Sequence, residues 1–177
     1  DWRKAGKAYR EAIALEPDQP VAYFNLGDTL SQSGHDVEAA QRYLESRQRE
    51  SVGSENWAVS TARAFDILRQ ESCEEVAKPE WWNDKGLKEL SARVVRAAPN
   101  NLATIAMRAV VLSGLSRTGG TWKAGSRSAA ELKAAAVHFD LASSLCPAPA
   151  QKAGLTNLAE MVRHNAEAMQ EIPSRRP

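Results

Sequence analysis

Residues 20–46 read PVAYFNLGDTLSQSGHDVEAAQRYLES. Tyr23, Leu26, Gly27 and Leu30 recur at helical spacing before Gly34, and Ala39, Tyr43 and Ser46 do so after it. Side chains three and four apart share one face of a helix, so the stretch predicts two helices joined by a glycine turn. Each helix sets a small residue beside a large aromatic one. A small side chain lets antiparallel helices approach closely while a ring from the neighbour fills the gap, which makes Gly27 and Ala39 the closest contacts expected. The spacing recurs outward from this stretch. Ala5, Tyr9, Ala12 and Pro17 keep it upstream, and Ala135, Phe139, Ala142 and Pro147 keep it far downstream. Proline disfavours helix in the residue before it and has no N–H to continue the ladder, so Pro17, Pro99 and Pro147 each mark a helix end.

This arrangement of small, aromatic and proline positions resembles the tetratricopeptide repeat (TPR). The resemblance implies an all-α fold, a right-handed superhelical solenoid of antiparallel helix pairs, in which stacked repeats bury what one pair cannot. It divides residues 1–177, read as one domain, as follows. Residues 1–19 are the second helix of a truncated repeat, 20–51 a repeat, 54–100 and 102–147 two repeats with insertions, and 150–171 a terminal capping helix. Ser60 and Arg108 depart from the pattern, standing where the family has a large apolar residue. The missing first helix suggests part of a longer chain or complex.

The insertions follow from the register of the prolines. Stepping by the family's period of 34 residues from Pro17 leads through Ser51 to Lys85, fourteen short of Pro99; from Pro99 it leads to Lys133, again fourteen short of Pro147. Trp57, Thr61, Ala64 and Leu68 mark one first helix and Leu87, Leu90 and Val94 its partner, which places the first insertion near residues 70–83. Ile105, Ala109 and Leu112 mark the next, and Ser128 with Glu131 forms a capping box for the helix carrying Phe139, leaving the second insertion near residues 115–127. Insertions between the helices of consecutive repeats emerge on one edge, side by side. The first carries a net charge of −3, the second +3, complementary charges that are expected to attract, and both carry tryptophan. The terminal helix is expected to turn Leu155, Leu158, Val162 and Met169 inward.

The 177 residues carry a formal net charge of +1, which gives no global field to attract nucleic acid or an anionic membrane. No apolar run approaches the roughly 20 residues of a membrane span, so no membrane insertion is expected. Cys73 and Cys146 lack nearby His or Cys companions and read as reduced thiols, as in an intracellular, cytoplasmic protein. Catalysis needs a nucleophile with its base, a carboxylate pair or a metal cluster. His35, His138 and His164 are not at metal-site spacing, and the Gly119-Gly120 pair has no strand before it as a phosphate loop requires. No catalytic site, metal or cofactor is expected.

The resemblance implies a concave groove lined by the first helices, with Phe24, Asn25, Asp28, Val59, Phe65, Met107 and Val110 facing a protein or peptide partner. A carboxylate clamp is not implied, since only Asn25 matches and Asp28 stands where a second asparagine would be. Two occupants stay open: an external amphipathic peptide, or the terminal helix or a further segment of the same protein. Large aromatics in loops either bind partners or pin the loop down, so Trp81, Trp82, Arg117, Trp122, Lys123 and Arg127 form the second candidate surface. The expected role is a non-catalytic interaction scaffold or adaptor, or a docking module of a larger enzyme.

Overall fold

The computed structural model describes residues 1–115 and 122–171, which form eight α-helices, one short 3-10 turn and no strand. They are α1 (Trp2–Leu15), α2 (Pro20–Gln32), α3 (Asp36–Arg49), α4 (Glu55–Leu68), α5 (Asp84–Ala97), α6 (Leu102–Ser113), α7 (Ala129–Leu145) and α8 (Pro149–Glu171), with the 3-10 turn at Glu71–Cys73. Arg117, Gly119 and Gly120 lie outside the described residues.

Side-chain oxygens at the helix starts satisfy backbone N–H groups that have no intrahelical partner. Asp1 accepts from Arg3 and Lys4, Ser54 from Trp57, Asn83 from Gly86, and Asn101 from Ala103 and Thr104. Ser128 and Glu131 close a reciprocal capping box at the start of α7. At the other ends, α1, α5 and α7 stop two residues before Pro17, Pro99 and Pro147. Gly34 makes the α2–α3 turn with φ +79°, a conformation that costs glycine little.

Each helix packs on the next in sequence, and α4 also packs on α6, giving a helical-repeat solenoid. Close approach is set by the small positions. A Cβ added at Gly27 would lie 2.9 Å from the Tyr43 ring. That ring has no room to retreat, because Tyr43 is buried and its Oη donates to Asp28 Oδ1 at 2.5 Å. Ala39 and Ala135 are fully buried. Leu26, Tyr43, Trp57, Phe65, Leu68 and Val94 belong to one core cluster, while Phe139 anchors a second with Ala135, Ala159 and Val162.

The two departures from the apolar pattern are polar groups with partners. Buried Ser60 shares a hydrogen bond with buried Ser46 across the α3–α4 contact at 3.1 Å. Arg108 reaches from α6 to α5, donating to Lys88 O at 2.8 Å and Ser91 Oγ at 3.0 Å. In α8 the inward row differs from the expected one: Ala159, Val162 and Ala166 are buried, Leu155 and Leu158 are half-buried, and Met169 is 47% exposed. Small residues at the contact bring α8 close to α7, and that registers the stripe on Ala159 and Ala166 rather than on Met169.

The Gly27–Tyr43 contact yields a direct test. Gly27→Ala and Ala39→Leu are each expected to destabilise by roughly 1–3 kcal/mol through overpacking, read as a lower midpoint in urea unfolding at unchanged slope. Unchanged midpoints for both would contradict the close approach.

Candidate functional site

Two surfaces stand out. The first is a groove of about 320 Å³ between α4, α6 and α8. Val59 and Ala62 line it from α4, Ala106 and Val110 from α6, and Leu155 and Leu158 from α8. Arg63, Asp66, Arg69, Asn101 and Gln151 supply polar groups around this apolar lining. A smaller hollow of about 170 Å³ continues past Val59 to Val21 and Phe24. The terminal helix thus forms one wall of the groove and leaves space in front of it. The terminal helix, expected as a cap or as an occupant of the groove, is its wall.

The expected groove residues separate into lining and core. Phe24, Val59 and Val110 are half-buried, and Phe24 meets Tyr43 edge-on with ring centres 5.5 Å apart. Phe65 and Met107 are 1% and 2% exposed. Both still line the floor of the groove while packing in the core beneath it. Asn25 is half-buried. Asp28 is engaged by the Tyr43 hydroxyl, and burial first, then this hydrogen bond, raises the Tyr43 pKa. Asp28 is half-buried, with Oδ1 engaged by that hydroxyl.

The second surface is the edge where both insertions emerge, and they do emerge together. Trp82 of the first and Trp122 of the second pack on the same ring, Phe65, at centre distances of 5.6 and 6.0 Å. Both tryptophans are buried. Trp81 stacks on Trp82 at 5.6 Å and stays half-buried. Within the first insertion the Lys78 ammonium donates to three backbone carbonyls, those of Cys73, Glu74 and Val76, so a single cation organises the loop. Ser72 Oγ ties it to α3 through Asp36 Oδ2 at 2.6 Å.

The charge attraction between insertions takes a different form from the one expected. Among the described residues no ion pair joins Glu71, Glu74, Glu75 or Glu80 to Lys123 or Arg127. Arg127 instead grips Asp84 at the start of α5 with both nitrogens of its fork, at 2.6 and 3.2 Å, and donates to Val111 O at 3.0 Å. Its side chain is only 6% exposed. Lys88 links the same Asp84 at 3.4 Å to Glu131 of the α7 cap at 2.7 Å. Hydrogen bonding from Arg127 lowers the Asp84 pKa to about 2, and hydrogen bonding from Lys88 lowers Glu131 to about 2. Trp82, Trp122 and Arg127 therefore hold the insertions down, the self-packing outcome of the two that the sequence left open. Trp81 is half-buried and Lys123 exposed; Arg117 lies outside the described residues.

Cys73 and His138 are engaged by the fold. Burial pushes the Cys73 thiol pKa up, away from the thiolate a nucleophile needs. His138 Nδ1 is within 2.8 Å of the Ala134 carbonyl on its own helix. Among the described residues no cluster of His, Cys, Asp and Glu could hold a metal ion, and no helix is long and apolar enough to cross a membrane.

Comparison with known proteins agrees with this architecture. Residues 1–34, which span α1, α2 and the glycine turn, match the family model described as TPR repeat. No curated protein matches the chain.

The carboxylate network fixes an acid response. Asp84 and Glu131 titrate below their ordinary values in the fold, so they contribute stability that is complete above pH about 4–5 and lost as pH falls toward about 2. Arg127→Met should reduce the part due to Asp84, read as a flatter acid dependence of tryptophan fluorescence between those limits. An identical acid titration in the variant would contradict the role given to Arg127.

Proposed function

We propose, for a chain carrying a TPR repeat at residues 1–34, a role as an interaction scaffold or adaptor that takes an apolar helical segment of a partner protein. TPR repeats are in general protein-interaction modules and are typically non-catalytic. The division into repeats at 20–51, 54–100 and 102–147, between a partial repeat at 1–19 and a terminal helix at 150–171, is part of the same reading.

The observation that supports it is the unfilled groove of about 320 Å³, with apolar walls from α4, α6 and α8 and polar groups beside them. An amphipathic helix lays its apolar face into such a groove and meets the edge with its polar flanks. Val59, Ala106, Val110, Leu155 and Leu158 would take the apolar anchors, and Phe24 extends the track toward α2. Recognition would come from shape and buried apolar area, which contributes about 25 cal/mol per Å² before the costs of ordering. No cofactor has a part in it.

The test is a peptide selected on the protein from an amphipathic-helix library. Val59→Glu with Val110→Glu should weaken its binding by more than about ten-fold, since each places a charge in an apolar contact, while circular dichroism shows helix content nearly intact. Binding that survives both changes would place the peptide elsewhere.

A further inference from the structure

The opposite side of α4 carries an arrangement that the groove does not use. Trp57 is 1% exposed, and two guanidinium groups lie over its ring: Arg47 of α3 at 5.5 Å and Arg93 of α5 at 5.3 Å from the ring centre. Trp81 of the first insertion adds a second ring 5.7 Å from Arg47. Trp57 and Val59 are two positions apart, about 200° around the helix, so this assembly faces away from the groove and its existence does not depend on the groove's role.

Arg47 is fixed in place. Its Nε donates to Thr61 Oγ1 at 3.0 Å, and that hydroxyl donates in turn to Trp57 O at 2.7 Å. This leaves the two terminal nitrogens of the fork for another acceptor. The half-buried arginines elsewhere are answered by oxygen: Arg42 by Glu45, Arg108 by Lys88 O, and Arg127 by Asp84. Among the described residues, no carboxylate lies within 4.0 Å of Arg47 or Arg93. Burial and repulsion from Arg93 lower the Arg47 pKa, and no acidic group opposes them. The ring faces attract both cations, which offsets part of the cost of gathering two positive charges. An oxyanion would offset the rest.

We propose that Arg47 and Arg93, framed by Trp57 and Trp81, bind a phosphate monoester carried by a partner polypeptide. Two guanidinium forks match a phosphate in charge and in number of donors, because the ester carries about −1.5 to −2 at pH 7 and offers three acceptor oxygens. A carboxylate, with one charge and two oxygens, would leave the second fork unmatched. Trp81 supplies an aromatic wall beside the anion for the flanking peptide.

The experiment uses the whole chain and three probes: a degenerate peptide library with a fixed central phosphoserine, its unphosphorylated twin, and inorganic phosphate. The phosphorylated library should yield peptides that bind saturably, are displaced by excess inorganic phosphate and have unphosphorylated twins that do not bind. Arg93 is exposed, so Arg93→Gln should fold normally and weaken binding by about ten-fold or more, with Arg93→Lys restoring only part of it. Arg47→Gln, checked by its melting curve, should have at least the same effect. Equal binding of both libraries, absence of any phosphopeptide ligand, or unchanged affinity in Arg93→Gln would each overturn the proposal. Binding of inorganic phosphate without any phosphopeptide would also overturn it, by showing a small-anion pocket closed to a chain.

Discussion

The ring of Phe65 is the contact on which the arrangement depends. It lies in α4, the helix that packs on α3, α5 and α6, and it receives Trp82 from one insertion and Trp122 from the other. Aromatic pairs of this kind contribute about 0.5–1.5 kcal/mol each beyond the area they bury. Both insertions are thereby tied to one buried ring. Arg127 then sets the direction of the docking, because a bidentate grip on Asp84 and a bond to Val111 O fix where the second insertion crosses α5 and α6. Cys73 and Trp82 of the first insertion and Trp122 of the second become part of the main core.

That outcome determines which surfaces are free. With Trp82, Trp122 and Arg127 turned inward, the insertions thicken one edge of the solenoid and leave its groove open. The groove is narrowed from the other side by α8, whose Leu155 and Leu158 form a wall. Trp81 does double duty. It covers Trp82 on one side and approaches Arg47 on the other, connecting the insertion to the outer face of α3.

Much of this was legible where side-chain size dictates spacing. Gly27 opposite Tyr43, the prolines after α1, α5 and α7, and the Ser128–Glu131 box are local rules, and each appears where its rule places it. The pairing of the insertions was also legible, since helix order alone sets the edge on which they emerge. Facing was less so. Phe65 and Met107 belong to helices apolar on most sides, and the pattern does not say that they line the groove from its buried floor while Val59 and Val110 stand half-exposed. The charge count misled for a related reason. Net charges of −3 and +3 suggested acids paired with bases across the loops, whereas the acid that Arg127 finds is Asp84, one residue outside the counted segment. Its neighbour Asn83, as the cap of α5, fixes that carboxylate in the first turn. Ser60 and Arg108 looked like breaks in the pattern because their partners, Ser46 and Ser91, come from other helices.

The central claim is that the insertions are integral to the solenoid, and hydrogen exchange of the backbone amides tests it most directly. Val76, Trp82 and Asn83 donate to Cys73, Pro79 and Trp81 carbonyls within the first insertion. If Phe65 holds the lobe in place, these amides and the peptides covering residues 122–127 should show slowed exchange, lost together with that of α4 when Phe65 is replaced by alanine. Exchange at free-chain rates in both insertions, alongside full protection of α4 and α6, would show the lobe to be an appendage and contradict the account.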